Sequence, residues 1–251
     1  MPVDTSRCFA LLPCAGSGAR AGGVVPKQYQ PVAGVPMVRH TLAAFLAVAR
    51  IARVLVVVAP GDDTLQTTDA AYSIAACGGP TRAASVFNGL HALRAQGARA
   101  DDWVLVHDAA RCLVTPALID TLIDACLPDP VGGLLALPLP DTLKAAGADG
   151  RVQATIDRHG KWLAQTPQMA RIGLLQAALA AHAASGFAGI TDEASALEAA
   201  GHRPLLVRGS AQNLKVTWPE DFALAEAVLS SRSKKLAGSN FVSRTRIRPT
   251  A

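Results

Sequence analysis

The sequence predicts a doubly wound α/β domain, and three observations carry the prediction. Short apolar runs alternate with stretches of helical period, each run is closed by turn-forming residues, and the runs are apolar on both faces. Strands that lack a polar face must be covered on both sides, which is the condition of a mostly parallel sheet between two helical layers.

Taken in order, Cys8–Pro13 (CFALLP) is a continuous apolar run that ends in a glycine-rich turn. Val38–Val48 carries apolar residues at helical spacing, and Arg53–Ala59 (RVLVVVA) is β-branched and stops at Pro60-Gly61. A helix is predicted over Arg82–Leu93, then a strand over Trp103–Val106 that ends at His107-Asp108. Pro116–Leu127 again reads as a helix and Gly133–Leu137 as an apolar run. The alternation then breaks: from Pro138 to Gln165 the chain is polar and rich in turn residues, with little helical period, which predicts a protruding hairpin-like β-arm. An arm of that composition buries little against its own domain, so a partner subunit is its natural support. The chain closes with Leu205-Leu206-Val207, Lys215-Val216-Thr217 and an amphipathic helix over Pro219–Leu229, with Pro219 in its first turn.

The chain has 251 residues, 50% hydrophobic and 17% charged. That excludes a disordered chain and suffices for the core of a single domain over residues 1–229. No apolar run is long enough to span a bilayer, and the first residues lack a cationic segment followed by an apolar one. No membrane association and a cytoplasmic location are therefore expected. The net charge of +5 misleads until it is located: residues 230–251 hold six cations and no acid, which leaves the body at −1. The tail reads as a solvated, flexible extension, and no nucleic-acid partner is expected. Five scattered cysteines form no zinc or disulfide pattern and are expected to be reduced and mostly buried.

Chemistry concentrates in three places. The first is Leu12-Pro13-Cys14-Ala15-Gly16-Ser17-Gly18-Ala19-Arg20, followed by Pro26-Lys27-Gln28-Tyr29. Small residues after a strand let backbone N–H groups approach a phosphate closely. The segment lacks the lysine of a Walker loop, and its later glycines fall at the wrong offset for a dinucleotide fingerprint. Arg20 and Lys27 beside it suit a triphosphate, whose charge grows on the departing pyrophosphate. The second is Val106-His107-Asp108-Ala109-Ala110-Arg111, at the carboxyl end of a predicted strand, where ligands sit in open α/β sheets. Asp108 suits Mg²⁺ or a substrate hydroxyl, Arg111 either a phosphate or Asp108 itself, and His107 reads as a structural imidazole. The third is dispersed: Thr142 and Lys144 in the arm, Arg158, Thr166, Thr191-Asp192-Glu193 and Asn213–Thr217. Hydroxyls and cations without a nucleophile–His–acid arrangement fit a reaction whose nucleophile is already an anion. Asp192 and Glu193 read equally as a helix N-cap with an acid in its first turn.

Together the segments PCAGSGAR, PKQY, TRAASV, VHDAAR, PDTLK, TIDRHGKW, TPQ, TDEASALE and NLKVTWPEDFALAE, in that order, resemble the 2-C-methyl-D-erythritol 4-phosphate cytidylyltransferases. The resemblance runs from about Cys8 to Leu229. It implies a Rossmann-like sheet, a β-arm reaching across a homodimer, and transfer of CMP from CTP to 2-C-methyl-D-erythritol 4-phosphate, a polyol phosphate, with release of pyrophosphate, aided by Mg²⁺, in non-mevalonate isoprenoid synthesis. By the same resemblance Ala15, Gly16 and Gly18 line the nucleotide loop, and Arg20 and Lys27 stabilise charge on the triphosphate. Gly79 and Ser85 read the cytosine, and Asp108 lies near the metal and the sugar phosphate, with Ala109 and Arg111 beside it. Thr142, Thr166 and Thr191 contact the acceptor, while Arg158 of a partner's arm and Lys215 position it. Pro80 stands where the family usually carries a carboxylate, Cys14 where alanine is common and Cys112 where proline often follows. The rivals are a cytidylyltransferase for ribitol 5-phosphate and a CTP-binding domain without turnover. No second catalytic domain is expected, since only the residues from Ser230 on follow the match.

Overall fold

The computed structural model describes residues 6–16, 18, 25–66 and 72–242, the last eight of these by their backbone alone. Seven strands form one sheet in the order β11-β7-β10-β6-β1-β4-β5. They are β1 (Cys8–Pro13), β4 (Ile51–Val57), β5 (Tyr72–Ala75), β6 (Trp103–Val106), β7 (Gly132–Pro138), β10 (Trp162–Arg171) and β11 (Leu205–Arg208). Two small ladders stand apart, β2 (Pro31–Val32) with β3 (Val35–Pro36), and β8 (Leu143–Ala146) with β9 (Val152–Ile156). The helices are α1 (Met37–Leu46), α2 (Arg82–Ala95), α3 (Pro116–Cys126), α4 (Ile172–Ala180), α5 (Glu193–Ala199) and α6 (Pro219–Val242).

The double layer follows from the two-residue period of a strand. Along β1, Cys8, Ala10 and Leu12 point to one face, where Val38, Phe45, Ile119 and Leu122 of α1 and α3 cover them. Phe9 and Leu11 point to the other, beneath Val86 and Leu90 of α2, Ile172 and Leu175 of α4, and Leu197 of α5. Burial of one such leucine contributes about 1.5–3 kcal/mol, so Leu11→Ala costs about 2–5 kcal/mol once the cavity is included. The approach of α2 depends on Gly89: a Cβ there would lie 2.7 Å from Val57 and 2.8 Å from Leu11. α6 packs on Val32, Met37 at the start of α1, Ala110, Leu113 and Val216.

Two expected bounds need correction, those of the arm and of the last helix. The sheet is mostly parallel, but β10, which the periodicity did not reveal, runs antiparallel to both β6 and β7. Trp162–Gln165 therefore belong to this strand and not to the arm, because Trp162 opposes Pro138 and Ala164 opposes Ala136 on β7. The arm proper is the β8–β9 hairpin, whose Leu143 opposes Ile156. The last helix does not stop at Leu229 but runs to Val242. No proline or glycine interrupts it before Gly238, and the Arg232 guanidinium anchors it on the Leu113 carbonyl, 2.9 Å away, and on Gln212.

Candidate active site

In the sheet order β1 lies between β4 and β6, so the chain winds outward from it in both directions. Loops leave the carboxyl ends of β1 and β6 on opposite sides and open a crevice between them. A cleft of about 470 Å³ lies there, lined by Pro13–Gly16, Gly18, Lys27, Gln28, Gly79–Arg82, Ser85, Asp108–Ala110 and Lys215. Of the residues singled out from sequence it gathers Ala15, Gly16, Gly18, Lys27, Gly79, Ser85, Asp108, Ala109 and Lys215. Arg20 lies outside the described residues.

The floor is held by main-chain contacts. Gln28 donates from Nε2 to the Cys14 carbonyl, 2.8 Å away, and so clips the loop after β1 to the turn that bears Lys27. Gly18 adopts φ +66°, and a Cβ on it would collide with Lys27 and reach 3.1 Å from its backbone nitrogen. Across the cleft Thr81 caps α2 by accepting from the Ala84 N–H, and Gly79 donates its N–H to Ser85 Oγ, 3.0 Å away. Cys14 also lines the wall; burial pushes its thiol up to about 12, so it stays protonated and serves as a small apolar surface.

Charge gathers on Asp108. Its Oδ1 lies 2.7 Å from Arg82 Nε and its Oδ2 2.7 Å from Lys215 Nζ. Burial opposes ionisation of this carboxyl, but the Arg82 and Lys215 cations hold it well below the usual carboxylate range. Arg82 turns its other edge to Glu193, a bidentate pair at 2.7 and 3.0 Å. Burial would lower the Arg82 pKa, but Glu193 and Asp108 raise it. His107 is fully buried, and that burial drives its pKa down to about 3, so the ring is neutral. Its Nδ1 meets Thr166 Oγ1 at 3.1 Å and its Nε2 the Arg111 carbonyl at 3.2 Å, the structural imidazole read from sequence.

The remaining residues sit elsewhere. Thr166 is buried behind Asp108 and accepts its backbone N–H at 3.0 Å. Arg111 forms no ion pair with Asp108; its guanidinium donates to the carbonyls of Asn213, 2.7 Å, and Ala164, 3.3 Å, pinning the segment before Lys215 to β10. Asp192 is the N-cap of α5, in a capping box with Ser195, and Thr191 donates its N–H to the same Ser195 hydroxyl. Thr142 and Arg158 lie on the exposed arm, where Arg158 donates to the Pro140 carbonyl. None of Thr142, Arg158, Thr166 or Thr191 lines the cleft of its own chain.

Sequence reasoning missed Arg82; it singled out Glu193, which does stand in the first turn of α5, but not as the partner of Arg82. A signal was available in TRAASV, since a cation at the first position of a helix opposes the helix dipole and needs a reason to be there. Among the described residues no cluster of three or more His, Cys, Asp or Glu is poised to hold a metal by itself. Asp108 is the one carboxylate among the described residues that line the cleft, and both its oxygens are engaged by cations, so Mg²⁺ would meet it only through a remaining lone pair, with its other ligands coming from substrate phosphates and water.

A small-residue loop at the switch point of a doubly wound sheet, with lysines converging from both walls, defines a nucleotide-using transferase of the nucleotidyltransferase class. The model of one family, IspD, 2-C-methyl-D-erythritol 4-phosphate cytidylyltransferase, matches residues 8–231, and the chain belongs to that family. It is 56% identical over 232 residues to the 2-C-methyl-D-erythritol 4-phosphate cytidylyltransferase of Paraburkholderia phytofirmans, covering 90% of this chain and 97% of the relative. It is 64% identical over 232 residues to the bifunctional enzyme IspD/IspF of Albidiferax ferrireducens, covering 91% of this chain but only 54% of that longer protein. Among solved structures, 4-diphosphocytidyl-2C-methyl-D-erythritol synthase superposes with a TM-score of 0.78 at 40% identity, over 89% of this chain and 98% of that one. The Francisella tularensis 2-C-methyl-D-erythritol 4-phosphate cytidylyltransferase gives 0.77 at 33% identity, over 88% and 98%.

Proposed function

We propose that this cleft carries out the family's reaction, transfer of CMP from CTP to 2-C-methyl-D-erythritol 4-phosphate with release of pyrophosphate, a step of non-mevalonate isoprenoid precursor synthesis. The observation that carries the reading is the convergence of Lys27 and Lys215 on one cleft: Lys27 Nζ donates to the carbonyl of Val216, the residue next to Lys215, at 2.6 Å.

A phosphate oxygen of the acceptor attacks the α-phosphorus of CTP, the bond from that phosphorus to the bridging oxygen breaks, and pyrophosphate leaves with the electron pair. The nucleophile is already an anion, so no general base is required, which accords with a His107 that is neutral and turned inward. The loop at Ala15, Gly16 and Gly18 presents N–H groups to the triphosphate, with Lys27 and, on sequence grounds, Arg20 beside it. Gly79, Ser85, Ala109 and Asp108 all line the cleft, where the first two would face the base and the last two the sugar. Asp108 is the residue to hold Mg²⁺, which when bound would screen charge on the phosphates. Lys215, 39% exposed in its side chain and paired with Asp108, would reach the α-phosphate from there.

The acceptor half of the site is proposed to be completed by a second copy. Thr142 and Arg158 lie on a hairpin that a two-stranded ladder alone does not support, and Val152 on it is 66% exposed. Trp162 and Leu163 at its base, and Leu205 and Leu206 on the edge strand β11, add exposed apolar surface. A homodimer that covers these residues would deliver Thr142 and Arg158 to the partner's cleft. No helix among the described residues is long and apolar enough to cross a membrane, and a cytoplasmic location is part of the proposal.

The test is pyrophosphate release with CTP and Mg²⁺, offering methylerythritol phosphate and ribitol 5-phosphate in parallel. Release with the first alone is expected. Release with ribitol 5-phosphate would keep the chemistry and change the acceptor, and silence with both despite CTP binding would overturn the reading.

A further inference from the structure

We infer that Arg82 is a positioning residue, fixing the Asp108 carboxylate at the cleft, and that Glu193 anchors Arg82 for this task; the inference rests on the cleft being the transferase site. The starting point is an anomaly of local structure. Arg82 opens α2, where the partial positive charge of the helix end repels a cation, and no acid stands in that first turn. Its side chain is only 26% exposed. Such a placement is tolerated because two carboxylates distant in sequence enclose it. Nε meets Asp108 at 2.7 Å, and the Nη1–Nη2 edge meets both oxygens of Glu193. A guanidinium that engages both edges cannot rotate without breaking at least two bonds.

Glu193 is the informative member. It is 3% exposed and does not line the cleft, so it reaches the reacting groups through Arg82. It is itself held rigidly, at the first turn of α5. Gln168 of β10 donates to Asp192 Oδ2 at 2.8 Å and accepts the Ala194 N–H at 2.8 Å. Acids and cations therefore alternate in one row, Glu193, Arg82, Asp108, Lys215, running from the packed interior to the cleft. With the first charge gone, Arg82 loses the partner that directs its Nε toward Asp108. Asp108 then has only the half-exposed Lys215 to orient it, and Lys215 loses its fixed base beside the α-phosphate.

The experiment uses the full chain with CTP, methylerythritol phosphate and Mg²⁺, and compares Glu193→Gln alone and in an Asp108→Asn background. Glu193→Gln keeps the shape and removes the charge. We expect kcat to fall about tenfold or more with KM for CTP within about threefold, and the loss to shrink to less than about twofold when Asp108 is already Asn. Arg82→Lys is expected not to restore turnover, because an ammonium lacks the fork. Wild-type kcat in folded Glu193→Gln, or a loss that persists in full in the Asp108→Asn background, would overturn the inference. Should Glu193→Gln not fold, Glu193→Asp, which keeps the charge and shortens its reach, is judged by the same criteria. A wild-type protein silent toward CTP would sink the activity reading instead. The crystal structure of the Glu193 variant would then decide the inference, with a displaced Asp108 side chain supporting it and an unmoved one refuting it.

Discussion

Lys27 Nζ and the Val216 carbonyl lie 2.6 Å apart, joining the turn after the glycine loop to a segment far along the chain. The bond parks the ammonium at the rim of the cleft, against a neutral acceptor that the triphosphate of the proposed reaction would outcompete by charge. Val216 is itself fixed, since its N–H donates to the Ala110 carbonyl at 2.9 Å and its side chain is fully buried under α6. The loops from β1 and β6 and the segment before α6 thus form one frame around the substrate space.

Lys27→Ala is expected to lower turnover by about 10²–10³-fold, the scale of losing one preformed donor to a developing anion. Steady-state pyrophosphate release is the measurement, with thermal unfolding as control, because Lys27 lies outside the buried core. Turnover within a factor of about three of wild type would remove Lys27 from its assigned role.

Arg158→Ala should also abolish most activity, although Arg158 lies outside its own chain's cleft. Mixed with Lys27→Ala protein and allowed to exchange subunits, it should recover up to about half of the wild-type activity per heterodimer, because one of two shared sites would be intact. Verified heterodimers without recovery would count against a shared site.

His107 makes stability depend on pH. Its folded pKa, about 3, lies below the ordinary 6.5 because burial disfavours the imidazolium. Its contribution is complete above about pH 6.5 and is lost as pH falls toward 3, since the unfolded chain takes up the proton first. The melting temperature should therefore drop on acidification from pH 7 to pH 4, and more shallowly in His107→Asn. Parallel slopes for the two proteins would contradict this account.

Asp102 predicts a second acid-sensitive contact, at the opposite end of the sheet. Burial favours its neutral form, but the Arg7 guanidinium and the backbone N–H groups of Arg99 and Arg7 hold its carboxyl at about 2. Its stabilisation is complete above about pH 4 and fades as pH falls through 2. Asp102→Ala at pH 7 should cost about 3 kcal/mol in urea unfolding, because it strands the donors that surround a fully buried side chain. A cost below about 0.5 kcal/mol would mean that water replaces those contacts without penalty.

Much of the layout was readable from residues close together in the chain. The run CFALLP became β1, WVLV became β6, and Arg82–Leu93 became the greater part of α2, since each carries its period within a few residues. The loop residues Ala15, Gly16 and Gly18 and the cations Lys27 and Lys215 were chosen by chemistry and by resemblance, and the fold brings them to one cleft. The direction of β10 was not readable, because a strand's sequence states which faces are buried and not which way its neighbours run. The Arg111 guanidinium was read as pairing with phosphate or Asp108, yet it clamps two backbone carbonyls that only the folded chain places nearby.

The sequence by itself therefore determined the doubly wound α/β class, the small-residue loop after β1 and the family, because these rest on local period and contiguous motifs. Only the tertiary structure decided that Arg82 and Glu193, 111 residues apart, share a bidentate bond behind Asp108. It likewise decided that Thr142 and Arg158 stand away from their own cleft. The physical reason is common to both. A buried charge pair or a projecting hairpin is set by where distant segments pack, and that information is carried by the whole core at once and by no single stretch of it.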